Sequence, residues 1–255
     1  MKKIYKDALK FSICMLPIGI LGGVLTGMYS LNTMNKEVLD QLLFSMSKES
    51  YLLVLGIQTG ILYTGVLGFF GYILAHKVNL MKKQSFTKRN IMITFFISII
   101  GGLFLITDYF TFAKLVPEVA TTYTKSNFSL IYLAASVVYG GILEEIMMRL
   151  FLMSLISFIL WKIFARKKEK ENIPVWIFVI ANILSALIFA AGHIPGTIVM
   201  FGGLNGLILM RCLLLNGIFG VIFGWLYRNF GLRYAMIAHA LSHIVHYVIL
   251  SCFLL

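Results

Sequence analysis

The chain has 255 residues, 60% of them hydrophobic, and a mean hydropathy of +0.91. A soluble domain of this size has too little interior to hide that much apolar surface, so lipid must be its main solvent. The net charge of +12 falls in short clusters between apolar runs. That pattern reads as membrane topology and contact with anionic headgroups, and it excludes a nucleic-acid groove.

About 20 apolar residues cross a bilayer as a helix. In chain order the runs are Leu9–Tyr29, Tyr51–Ala75, Ile91–Phe110, Ser129–Phe164, Pro174–Gly192, Thr197–Tyr227 and Arg233–Leu254. Met1, Lys2 and Lys3 could open a signal peptide, but the first run lacks a small-residue cleavage site and reads as a retained span. Lys2, Lys3 and Lys6 precede that span. Lys77, Lys82, Lys83, Lys88 and Arg89 follow the second, and Arg166, Lys167, Lys168 and Lys170 follow the fourth. The positive-inside rule places these clusters and the N-terminus in the cytoplasm. With no linker or internal repeat, residues 1–255 read as a single integral-membrane domain of all-α, polytopic class. Cys14, Cys212 and Cys252 are scattered, so neither a disulfide framework nor a thiolate metal site is expected.

The sixth run is long and carries Gly202, Gly203, Gly206 and Arg211. Depth decides how it is read. In the fourth run Glu144 lies roughly 31 Å from the Phe164 end, and His193 lies roughly 28 Å beyond Pro174, so the two meet at one level. His239 joins them only if Thr197–Tyr227 crosses twice, with a turn near Arg211. The expectation is therefore eight membrane segments, or seven if that run crosses once.

Glu144 and Glu145 are the anomaly in this pattern. Only ten acidic residues occur, and the other eight lie outside apolar stretches or at their ends. A charge at bilayer depth costs roughly 2.5–3.5 kcal/mol on insertion scales, so two adjacent carboxyls there need a partner, a wet cavity or a task. Arg149 sits four residues after Glu145 on the same helix face. Glu145 can pair with it, leaving Glu144 free to face a cavity as a general base. A structural ion pair alone would account for Glu145 and Arg149 but not for Glu144. Four of the five histidines lie between 193 and 246. His193 sits where Pro195 and Gly196 break a helix, and His239, His243 and His246 follow helical spacing on the last one. His246 is the weakest candidate and reads equally well as packing.

The segments Glu144-Glu145-x-x-x-Arg149, Phe189-x-x-x-His193 and His239-x-x-x-His243 resemble, in order, the three motifs of the CPBP family. These are the CAAX prenyl protease and bacteriocin-processing intramembrane endopeptidases, and the resemblance covers roughly residues 129–250. It implies peptide-bond hydrolysis by activated water. In that scheme Glu144 and His193 are the acid–base pair, His239 and His243 are oxyanion donors, and Arg149 orients Glu145 and a substrate carboxylate. The family's third motif usually ends in Asn or Asp, where this chain has His243, a titrating ring in place of a neutral group.

No Gly-x-Ser-x-Gly elbow is present, which argues against a serine mechanism. No cofactor is expected. The alternative is zinc held by His239 and His243 with His193 or Glu144 as third ligand, and family members have been described both as metalloproteases and as metal-independent glutamate proteases. The expected partners are a peptide or protein substrate and membrane lipid, with no nucleic acid, in what reads as a bacterial plasma membrane. Other readings of the same buried Glu and His groups are a proton-coupled transporter and a proteolytically inactive immunity or scaffold protein.

Overall fold

A computed structural model describes residues 2–34, 36–81, 86–124 and 127–254. Lys82 and Lys83 of the second basic cluster, and Met1, lie outside the described residues. All regular structure among the described residues is helical, as hydrocarbon requires: only a helix satisfies its own backbone polar groups within one segment. Among the described residues, seven helices are long and apolar enough to span a membrane: α1 (Lys2–Thr33), α2 (Lys48–Lys77), α3 (Lys88–Leu115), α4 (Leu130–Phe164), α5 (Val175–Phe201), α6 (Gly206–Phe230) and α7 (Leu232–Phe253). Side chains cap several starts. Ser47, Thr87, Ser129 and Asn205 each accept a backbone N–H three residues on, removing one orphan donor per helix.

The expectation of eight segments is corrected to seven. Thr197–Phe201 does not begin a new span; it extends α5 beyond a break at His193, and the chain then turns at Gly202, whose φ is +70°. A left-handed residue costs glycine little, which is why the turn sits there. α6 crosses once with Arg211 inside it, because Asp108 neutralises that charge through bonds of 2.6–3.0 Å.

The depth argument fails for a related reason. Ser154 of α4 meets the Tyr227 hydroxyl at 3.0 Å. Tyr227 is three residues from the end of α6, whereas Ser154 is ten from the end of α4. α4 therefore overhangs the α6–α7 turn by about seven residues, roughly 10 Å, and His239 reaches Glu144 without an eighth segment.

Small residues set the approach of α4 to α7. A Cβ on Gly141 would lie 2.6 Å from the Ala240 methyl, and one on Gly140 2.9 Å from His243 Nε2. Membrane helices without a hydrophobic drive between them pack on such close contacts. Through this stretch α4 widens from α to π geometry, over Ser136–Glu144 and again over Ile146–Met153, a distortion common at functional sites. Toward the basic-loop end the helices close on a core of Ile146, Leu150, Met153, Ile177, Leu226 and Tyr227, all fully buried.

Candidate active site

Glu144, His193 and His239 arrive from α4, α5 and α7 and meet. One Glu144 oxygen is 3.7 Å from His193 Nε2 and the other 3.9 Å from His239 Nε2. Both gaps exceed a direct hydrogen bond, a separation at which a bridging water is the natural occupant. The three face a cavity of about 210 Å³ that also touches His243, well above the ~10–15 Å³ that one water needs.

Each imidazole is pinned at its other nitrogen. His193 Nδ1 lies 2.9 Å from the Phe189 carbonyl. A carbonyl only accepts, so Nδ1 carries the hydrogen and Nε2 is turned to Glu144. The break at His193 makes this geometry, since the imidazole caps the last turn before Pro195. His239 Nδ1 lies 2.9 Å from Glu145, and its ring stacks on Phe223 at 4.6 Å between centroids. Glu145 itself is fully buried and does not line the cavity.

Arg149 is also fully buried. It faces Glu145 at 3.3 Å, donates to the Gly220 carbonyl at 3.1 Å and lies over the Phe189 ring at 5.3 Å. Arg149 does not line the cavity, so the geometry gives no support to its reading as a receptor for a substrate carboxylate and leaves it beside Glu145. The ion pair is close but misaligned for a hydrogen bond, leaving Arg149 Nε and Nη1 without acceptors.

His243 lines the cavity beside His239, the two rings nearly parallel with centroids 5.0 Å apart. His239 Nδ1 is held by Glu145, so its Nε2 is the nitrogen turned to the cavity. Among the described residues no group of three His, Cys, Asp or Glu side chains is placed to hold a metal ion. His246 stands away from the cavity with its ring edge on Phe128 at 5.6 Å, which is packing.

Several features were not read from the sequence. Asn216, Ser242, Ser136 and Tyr139 line the cavity. Asn216 is the one with a usable signal, an amide in the middle of an apolar helix. Gly140, four residues before Glu144, makes the room that His243 occupies.

Fold and site together define a polytopic helical membrane protein with a carboxylate–imidazole cluster in its interior. Residues 126–245 match the family model described as type II CAAX prenyl endopeptidase Rce1-like. The matched stretch, just under half of the chain, is similar to Rce1-like endopeptidases, a family of proteases, and the match is consistent with the CPBP resemblance. No curated protein and no solved structure matches the chain.

Proposed function

We propose that the chain hydrolyses a peptide bond within the membrane by general acid–base activation of water at Glu144. The observation that carries this reading is the convergence of two imidazoles from separate helices on the two oxygens of one carboxylate, at 3.7 and 3.9 Å, beside a cavity. A water between Glu144 and His193 gives a proton to Glu144 as it attacks the substrate carbonyl; that proton passes to His193 Nε2 and from there to the departing amine as the C–N bond breaks.

Charge balance assigns a further proton. Two carboxylates against the single Arg149 guanidinium leave one negative charge in low dielectric. An imidazolium at His239 removes it, holding Glu145 through Nδ1–H and presenting Nε2–H to the cavity. His239 and His243 then donate to the tetrahedral oxyanion, a contribution of roughly 3–4 kcal/mol per donor in other hydrolases. This scheme needs no metal. In this reading the N-terminus is cytoplasmic, which the cation-rich loops support.

The test is purified protein in detergent with a quenched peptide library, with and without chelator. Cleavage that survives the chelator and disappears in Glu144→Gln supports the scheme. Loss on chelation overturns the metal-free mechanism, and no cleavage of any peptide by the native chain puts the scaffold reading ahead.

A further inference from the structure

The cavity extends from Glu144 in one direction only. Beyond the Glu144–His239 level it is lined by Thr26, Tyr29, Leu105, Ser136, Leu215 and Asn216. Every one of these lies toward the same ends of the helices. Tyr29 is four residues from the end of α1, Ser136 six from the start of α4, and Leu215 nine from the start of α6. On the other side of Glu144 the route is shut. Ile146, Leu150 and Met153 of α4 pack with Leu226 and Tyr227 of α6 and Ala238 of α7, all fully buried, and the Tyr227–Ser154 contact crosses that plug.

The two ends of the bundle differ in charge. Lys77, Lys88, Arg89, Arg166, Lys167, Lys168, Arg228 and Arg233 lie at the plugged end, with Asp7, Glu169 and Glu171 as its acids. At the end toward which the cavity runs, Lys36, Lys48 and Lys114 are matched by Glu37, Asp40, Glu49 and Glu118. Cations in short loops mark the cytoplasmic side, so the plugged end is cytoplasmic.

From these two observations we infer that the site is fed from the extracytoplasmic side, and that its substrate is a peptide segment exposed on the outer face of the membrane or in its outer leaflet. The passage carries no charged side chain beyond Glu144 and the histidines. Leu105, Leu215, Phe219 and Tyr139 set its apolar character, and Ser136, Thr26 and Asn216 offer hydrogen bonds to an extended backbone. The segment it takes is therefore neutral and apolar around the cleaved bond. A cytoplasmic carboxyl terminus would meet the plug. The substrate half of this inference rests on the protease reading; the direction of access does not.

Thiol accessibility tests the direction without catalysis. Cys14 and Cys252, which are exposed, are replaced by Ala, and buried Cys212 is kept as the background. Ser136→Cys is then treated with a membrane-impermeant thiol reagent in right-side-out and inverted vesicles, beside Lys48→Cys and Lys168→Cys as markers of the two faces. The expected result is that Ser136→Cys reacts with Lys48→Cys, at least tenfold faster in right-side-out vesicles. Reaction with Lys168→Cys from the inverted side overturns the inference, as does reaction only after detergent. Thr26→Cys provides a second position if Ser136→Cys does not fold. Cleavage of a neutral apolar peptide added to one side of oriented proteoliposomes then tests the substrate half. Outer accessibility with no cleavage of any peptide sinks the protease reading alone, whereas cleavage confined to peptide added on the cytoplasmic side sinks this one.

Discussion

Two buried ionic clusters occupy the bundle, and their contrast separates a structural device from a reactive one. Asp108 of α3 is 1% exposed and is held by Arg211 of α6 through three contacts of 2.6–3.0 Å, while the Tyr123 hydroxyl donates to it as well. Arg211 also lies over the Phe201 ring at 5.3 Å. Nothing in that cluster is left to accept a ligand. Glu144 has the opposite surroundings: the nearest side-chain nitrogens, on His193 and His239, stand at 3.7 and 3.9 Å, and it borders a cavity. Both clusters carry the cost of burial, but only one leaves its carboxylate short of direct partners. That shortfall, more than the presence of charge, marks a site where a water and a substrate belong.

The largest expected effect tests the reactive side of this contrast. Glu144→Gln removes the base and keeps the shape, so peptide cleavage should fall by about 10²–10⁴ with thermal unfolding in detergent shifted little. Asp108→Asn should reverse the pattern. Removing one partner of a buried pair costs roughly 3–5 kcal/mol, so the variant should unfold at a clearly lower temperature while the surviving folded fraction keeps its turnover. If Asp108→Asn abolished turnover in protein that remained folded, the two clusters would not be functionally separate. Third comes His243. Loss of one oxyanion donor typically costs about 10²–10³ in kcat, expected for His243→Ala, whereas His243→Asn keeps a donor and should recover most of the rate. Equal rates in the two variants would remove His243 from the chemistry.

What could be read in advance divides along the same line. Glu144, Glu145, Arg149 and the histidines stood out because each is costly in an apolar run, and cost is visible one residue at a time. The structure brings Glu144, His193 and His239 within hydrogen-bonding or one-water reach. Segment count and depth were harder, because they depend on how far one helix overhangs another. The overhang of α4 is fixed by packing partners such as Ser154 and Tyr227, and helix length alone does not set it. Asp108 and Arg211 are 103 positions apart, so nothing local announced their pairing. Arg211 alone in a glycine-rich stretch looked like a turn until its partner was known. Arg149 shows the reverse case. Its charge was legible, but its enclosure by Gly220 and Phe189 from two other helices was not.

The smallest effect is expected at Tyr123, which sharpens the structural side of the comparison. Tyr123 lies in the connection between α3 and α4 and packs near Val116, Val119, Phe201 and Ile208. Burial, and then the neighbouring Asp108 carboxylate, raise its pKa above the usual phenol value. Only the protonated phenol can donate to Asp108, and a phenolate would set a second anion against it. A hydrogen bond to a charged group contributes about 1.5–3 kcal/mol, so Tyr123→Phe should lower stability by that order at neutral pH. The sign of the pH dependence follows from linkage. Because the folded pKa lies above the unfolded one, near 10, the stabilisation is fully present below pH 10 and is lost as pH rises from there toward the folded value. Unfolding followed from pH 7 to 11 should therefore show native protein and Tyr123→Phe separated by a constant gap that narrows above pH 10. A gap that stayed constant to pH 11, or that opened with rising pH, would mean that the phenol does not share its proton with Asp108 and that the outer cluster is held by Arg211 alone.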